Sequence, residues 1–211
     1  MRRLLLGVRS LCGRLRQDGL APTWQWLRGH VWPCLSGVPS PNFSRITERL
    51  YVGPQIGRLG HRRLRRLGIQ ASVNLRVEYD DVAAGVAFPE HLRLPTVDGE
   101  APTLAHLASG VAFIRRVVAK GGGVYVHCQS GVGRAPTLAA AYLVSTGCEL
   151  AEALGCVRQA RPFMALTTAQ ADQLARFVAW WREEGVEQNT AADRGRLRSV
   201  GVQFPAGGPG C

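Results

Sequence analysis

Hydrophobic and polar positions follow two periods along this chain. Residues 46–52, 69–75, 92–94 and 124–126 are short runs rich in aliphatic, β-branched and aromatic side chains. Gly or Pro borders most of them, the pattern of short buried strands. Helical spacing fills the intervals. Leu59, Leu64 and Leu67 lie among Arg62, Arg63, Arg65 and Arg66 on a short basic helix stopped by Gly68. Thr103 is placed to cap a helix whose stripe is Leu107, Val111, Ile114 and Val118. Residues 135–147 form another helix, with Pro136 in its first turn, where a fixed φ and a missing N–H cost nothing. A fourth covers 149–160 with Ala151, Leu154 and Val157 inward, and Arg161-Pro162 breaks it. The last helix is capped by Thr167 or Thr168 and turns Leu174, Phe177, Val178 and Trp181 to the core. A helical turn is expected around 80–84. Strands alternating with helices predict an α/β fold: a short, mainly parallel sheet with helices on both faces and the site at a strand's carboxyl end.

The two ends stand apart. In 1–37, Leu4, Val8, Leu11 and Leu15 share one helical face and Arg2, Arg9 and Arg16 the other, followed by Trp24, Trp26 and Trp32. This is a basic amphipathic segment, too short in its apolar run to span a membrane. Three readings stay open: a membrane-surface element, a helix packed on the domain, and an Arg-rich mitochondrial transit peptide. A Pro/Gly linker (37–42) precedes a catalytic domain expected at 42–184, and 185–211 dissolves into Arg, Gly and Pro, the composition of a disordered tail.

Composition narrows the class. Of 211 residues, 46% are hydrophobic and 19% charged, which is globular, and the length suits one domain with a real core. The net charge of +11 favours acidic partners such as phosphoesters or anionic lipid. No basic motif with interleaved aromatics is present, so nucleic acid is not an expected partner. The Arg62–Arg66 cluster is read first as a solvated face, with a binding patch as the alternative. Cys12, Cys34, Cys128, Cys148, Cys156 and Cys211 form no metal-ligand spacing, so free thiols in a reducing compartment, and no metal or cofactor, are expected. Localisation is read as cytoplasmic, peripheral at a membrane, with mitochondrial as the alternative in a eukaryote.

The chemistry concentrates in His127-Cys128-Gln129-Ser130-Gly131-Val132-Gly133-Arg134, a strand end, a tight loop and a helix start. Such a loop turns backbone N–H groups inward toward the positive end of the helix dipole, which makes a phosphate cradle of residues 129–134. A thiol ringed by these donors is favoured as the thiolate, the nucleophilic form. Arg134 supplies a planar fork able to grip two phosphate oxygens. Gly131 and Gly133 allow φ > 0 and keep side chains clear of the phosphate. Asp98, in the loop 95–102 and thirty residues before Cys128, is the candidate general acid, on a flap that moves. Glu100 is the second candidate, followed by Asp80 and Asp81.

The string His127-Cys128-x5-Arg134 resembles the signature of the cysteine-based phosphatases, in the compact form of the dual-specificity phosphatases. Leu92-Arg93-Leu94-Pro95-Thr96-Val97-Asp98, Pro102-Thr103-Leu104, Val124 to Cys128 and Ala140-Ala141-Tyr142-Leu143 together resemble the mitochondrial phosphatidylglycerophosphate phosphatase branch. The resemblance covers about 42–181 and implies a metal-free, two-step hydrolysis. Cys128 attacks phosphorus, Arg134 and the loop amides hold the oxygens, Asp98 protonates the leaving group, and water frees the phosphate. It implies phosphoprotein substrates in the broad family and phosphatidylglycerophosphate or a phosphoinositide in the closer branch. The family usually places Ser or Thr after the loop arginine, a hydroxyl that helps the cysteine leave, and Ala135 stands there instead. The Arg-Ala-Pro variant resembles the plant glucan phosphatases, so Ala135 is compatible with turnover, and a low-turnover phosphoester-binding module is the remaining alternative.

Overall fold

The structure, a computed structural model, describes residues 42–185. The amphipathic segment read at 1–37, its linker and, beyond its first residue, the tail read at 185–211 lie outside the described residues. Five strands form one sheet: β1 (Ser44–Arg45), β2 (Leu50–Gly53), β3 (Ile69–Arg76), β4 (Glu90–Thr96) and β5 (Gly123–His127), in the order β1-β2-β5-β3-β4. Only the β1–β2 pair is antiparallel. The helices are α1 (Arg58–Arg66), α2 (Leu104–Ala119), α3 (Arg134–Ser145), α4 (Leu150–Ala160) and α5 (Thr168–Trp180), with a π-helical turn at Trp181–Gly185.

The pleat sorts side chains between two layers. Leu50, Val52, Val73, Leu75, Val124 and Val126 face a core filled by α2, α3, α4 and α5. Tyr51, Tyr125 and Ile69 face the other way, onto Leu64 of α1 and Phe88. Helices therefore cover both faces, four on one and α1 on the other. β5 lies between β2 and β3, so it is the strand most enclosed, and all five of its residues are buried.

Several local readings shift. The run 46–52 is not one strand, because Thr47 Oγ1 accepts the N–H groups of Arg49 and Leu50, making a bend that leaves β2 to begin at Leu50. In α4 it is Ala153, with Val157, that is buried, and Ala151 is exposed. In α2 the buried stripe passes through Phe113 and Val117, with Val118 at its margin. Thr103 caps α2 by accepting the His106 N–H, and Thr167, not Thr168, caps α5 in a reciprocal pair with Gln170.

Candidate active site

The loop from Cys128 to Gly133 joins the carboxyl end of β5 to the N-terminus of α3. Cys128 is buried, and the Gly131 N–H donates to its Sγ at 3.3 Å. Two different constraints require the two glycines. Gly131 has φ +68 and lies against the Gly53 backbone, where a Cβ would collide. Gly133 does not use the positive φ open to it. It begins the helix with φ −117, and its constraint is space, since a Cβ would stand 2.6 Å from the Gln170 side-chain oxygen.

Arg134 is 1% exposed yet richly partnered. Its Nη1 donates to the carbonyl oxygens of Thr96 (2.6 Å) and Leu75 (3.3 Å) and to Glu78 Oε2 (3.3 Å). Its Nη2 meets Glu78 Oε1 at 3.2 Å and Asp98 Oδ1 at 2.7 Å. The Nε–H is buried without a partner. An orphaned guanidinium donor beside the Cys128 loop is the donor that a bound oxyanion would satisfy. Burial works against the Arg134 charge, but Glu78, the Cys128 sulfur and Asp98 outweigh it and raise its pKa. Burial likewise raises Glu78, but hydrogen bonds from Arg134, its own backbone N–H and Arg76 prevail and bring it down to about 2.

Among the candidate acids, Asp98 alone reaches Arg134. Its side chain is 67% exposed, at the open side of the loop. Asp80 caps its own turn through the Val82 and Ala83 N–H groups and pairs with Arg93 at 3.6 Å. The turn expected near 80–84 is present there. Glu100 is exposed and enters through its backbone, its carbonyl accepting the Gln170 Nε2–H at 3.0 Å. Thr167 Oγ1 also donates to the Gly99 carbonyl at 3.1 Å. The acid loop, read as a moving flap, is here tied to the N-terminus of α5 on one side and to Arg134 on the other.

Asp81 has a different environment from the one its rank as a fourth acid implied. It is buried, and its Oδ2 sits 2.8 Å from His127 Nε2, while Gln55 Nε2 donates to Oδ1 at 3.0 Å. Burial raises the Asp81 pKa, but the hydrogen bond and charge of His127 outweigh it, and the net shift is downward. The Gln55 backbone N–H also donates to the Gln129 carbonyl at 3.0 Å, so this trio fastens the β2–α1 connection to the Cys128 loop. On the opposite wall, fully buried Arg161 holds the loop carbonyls: its Nε donates to Gly131, its Nη2 to Ser130 at 3.0 Å, and its guanidinium lies 4.4 Å from the Phe163 ring centroid. Desolvation brings its pKa down to about 10.

Sequence reading missed Glu78, Asp81 as a partner of His127, Gln55, Arg161 and Gln170. Only Arg161, a charged residue set between the apolar end of a helix and a proline, left a trace in the pattern. The rest depend on pairing across the fold.

The sequence profile described as "Dual specificity phosphatase, catalytic domain" matches residues 50–179. The chain belongs to the dual specificity phosphatase family. It is 39% identical over 90 residues to the mouse (Mus musculus) phosphatidylglycerophosphatase and protein-tyrosine phosphatase 1, covering 42% of this chain and 47% of that protein. It is 31% identical over 134 residues to phosphatidylglycerophosphate phosphatase PTPMT2 of Arabidopsis thaliana, covering 61% and 59%. The chain thus spans about half the length of these curated relatives. Among solved structures it is similar to PTPMT1 in complex with PI(5)P, with a TM-score of 0.63, 27% identity, and coverage of 68% of this chain and 98% of that one. Human DUSP28 superposes with a TM-score of 0.61 at 27% identity, covering 69% and 97%. These neighbours share the mostly parallel five-stranded sheet of the cysteine phosphatase fold, as the alternation of strands and helices predicts.

Proposed function

We propose that the chain is a cysteine-dependent phosphatase that hydrolyses phosphate monoesters of phosphoproteins through a cysteinyl-phosphate intermediate. The observation that carries this reading is a buried Cys128 whose Sγ accepts a loop amide at 3.3 Å, closed over by a buried Arg134 with one unpartnered N–H. In the first step the Cys128 thiolate forms a bond to phosphorus as the ester P–O bond breaks. The amides of 129–134 and Arg134 hold the three equatorial oxygens, whose charge grows in the transition state. Asp98 donates its proton to the departing oxygen, and as a carboxylate it then takes a proton from the water that frees inorganic phosphate. A substrate phosphoryl group competes with Asp98 for Arg134, which releases the carboxylate for this role. Glu78 keeps the guanidinium in place across the exchange. Residues 42–184 are the catalytic domain in this proposal.

A second reading, hydrolysis of a phospholipid such as phosphatidylglycerophosphate or a phosphoinositide, is favoured by the relatives named phosphatidylglycerophosphate phosphatases and by the neighbour solved with PI(5)P. It goes with a peripheral location at a membrane. Among the described residues no helix is long and apolar enough to cross one. The test is phosphate release from a phosphotyrosine peptide and from phosphatidylglycerophosphate in vesicles, with Cys128→Ser as the blank. Preference for the peptide supports the phosphoprotein reading, and preference for vesicles transfers the assignment to lipid. Release equal to the blank on both, with phosphate trapped on Cys128, leaves the low-turnover binding module.

A further inference from the structure

Helix α1 breaks several rules of helix stability at once. Its nine residues, Arg-Leu-Gly-His-Arg-Arg-Leu-Arg-Arg, hold five arginines and no carboxylate. Arg58 and Arg62, and Arg62 and Arg66, are like charges four residues apart, a spacing that destabilises a helix. Arg58 sits at the positive end of the helix dipole, where a cation is unfavourable. The N-cap, Gly57, makes no side-chain cap, Gly60 lies inside the helix, and Leu64 is the only buried residue. Among the described residues none of the five arginines forms an ion pair, and only Arg63 has an aromatic partner, the Phe43 ring at 5.9 Å. His61, within the same helix, has its pKa lowered first by burial and then by the charge of Arg65.

A merely solvated helix would intersperse both signs. The other charged surface groups do so, as Arg45–Glu48, Arg93–Asp80, Arg116–Glu90 and Arg182–Glu149 show. Local rules broken without a compensating contact inside the fold mark a functional surface. The helix also exposes apolar groups at both ends, Leu59 (59%) and Leu67 (48%). Guanidinium groups that track anionic headgroups, with leucines able to enter the acyl boundary, fit a bilayer surface better than a hydrophilic polyanion. The helix begins at Arg58, three residues after Gln55, whose backbone bonds the Cys128 loop. A surface that binds α1 therefore adjoins the candidate site.

We propose that the exposed face of α1, with Arg58, Arg62, Arg65 and Arg66 and the exposed Leu59 and Leu67 at its ends, docks the protein on an anionic phospholipid bilayer. The proposal extends the phospholipid reading but stands apart from it, because it is read by binding and not by turnover. The experiment uses the full chain and vesicles of phosphatidylcholine with and without phosphatidylglycerol, scored by co-sedimentation. The variant is the triple substitution Arg62→Gln, Arg65→Gln, Arg66→Gln. Each arginine near an anionic surface is worth about fivefold in partitioning, so the triple variant should bind anionic vesicles roughly 100-fold less. Its thermal midpoint should hold or rise, since repulsion is removed, and its turnover of a soluble aryl phosphate should not change. A second variant, Arg2→Gln, Arg9→Gln, Arg16→Gln, reports the share of binding that belongs to the amphipathic segment. Binding by the α1 variant within twofold of the parent overturns the proposal. So does equal parental binding to pure phosphatidylcholine, or tighter binding to an acidic polypeptide or to RNA than to anionic vesicles. Docking without release of phosphate from phosphatidylglycerophosphate sustains α1 and rejects the phospholipid substrate. Release without α1-dependent binding does the reverse.

Discussion

Helices α3 and α1 flank the same sheet and are opposites. All twelve residues of α3 are buried, and Arg134 is its only charge. One residue of α1 is buried, and five of its nine are arginine. α3 is held by packing: Leu138 fits against Gly110 of α2 so closely that a Cβ on that glycine would stand 2.7 Å from its Cδ1. α1 is held by Leu64 and by its short connections to β2 and β3. Packing fixes the position of a group to fractions of an ångström, as an arginine closing a phosphate loop demands. A cationic face needs no such precision, because attraction to a diffuse anionic surface acts over about a Debye length, ~8–10 Å, and depends little on angle. On the proposed reading, chemistry is placed on the enclosed helix and capture on the loosely held one.

This contrast can be broken most severely at the loop that α3 anchors. Cys128→Ser should remove turnover of any phosphate monoester by at least about 10⁴-fold while preserving the fold. Residual turnover close to the parent would move the nucleophile elsewhere. In stability, Asp81→Ala should cost about 3 kcal/mol, because it leaves His127 Nε2 buried beside a void, and Asp81→Asn should recover part of that by keeping a hydrogen-bond acceptor. Chemical denaturation checks both, and equal losses would mean that the hydrogen bond to His127 contributes nothing.

The same residue gives a pH signature. Asp81 and Glu78 both have lowered pKa values, so folding favours their ionised forms. The stability they contribute is present above the ordinary carboxylate range, ~4, and is lost as the pH falls below it, for Glu78 toward about 2. A thermal midpoint that declines as the pH falls below about 4, with a shallower decline in Asp81→Asn, is the expected result. An unchanged slope in that variant would remove Asp81 from the account.

The packing contrast itself is tested by Leu138→Ala, expected to cost about 3 kcal/mol, against Leu59→Ala, expected within about 0.5 kcal/mol. Similar costs would erase the distinction. The smallest effect is kinetic. Ala135→Ser restores the hydroxyl usual in the family and should raise steady-state turnover a few-fold where dephosphorylation limits, roughly a 1 kcal/mol change in barrier. An unchanged steady state with an unchanged burst would assign the slow step elsewhere.

What the chain determines by itself is local. The β-branched run before Cys128, the glycines after it and the alanine-rich helix beyond specify strand, loop and helix through propensity and period, and those properties belong to neighbours in sequence. The alternation of such units yields a mainly parallel sheet with its site at the carboxyl edge, and the loop string alone singles out Cys128, Arg134 and the amides of 129–134. Asp98 was the first candidate acid because a carboxylate in a Pro/Gly loop can deliver a proton, a reason that says nothing of its contact with Arg134. Tertiary structure decided the rest. It set Asp98 on Arg134 and Asp80 on Arg93, and it buried Asp81 against His127, forty-six positions away. It also enlisted Glu78 as the support of Arg134 and set Gly133 against the Gln170 side chain, where a Cβ would crowd it. Five carboxylates between 78 and 98 look alike along the chain. Their roles separate only when folding gives each its own set of partners and its own exposure, because the energy of a charge depends on its partner and its solvent, and neither is a property of sequence position.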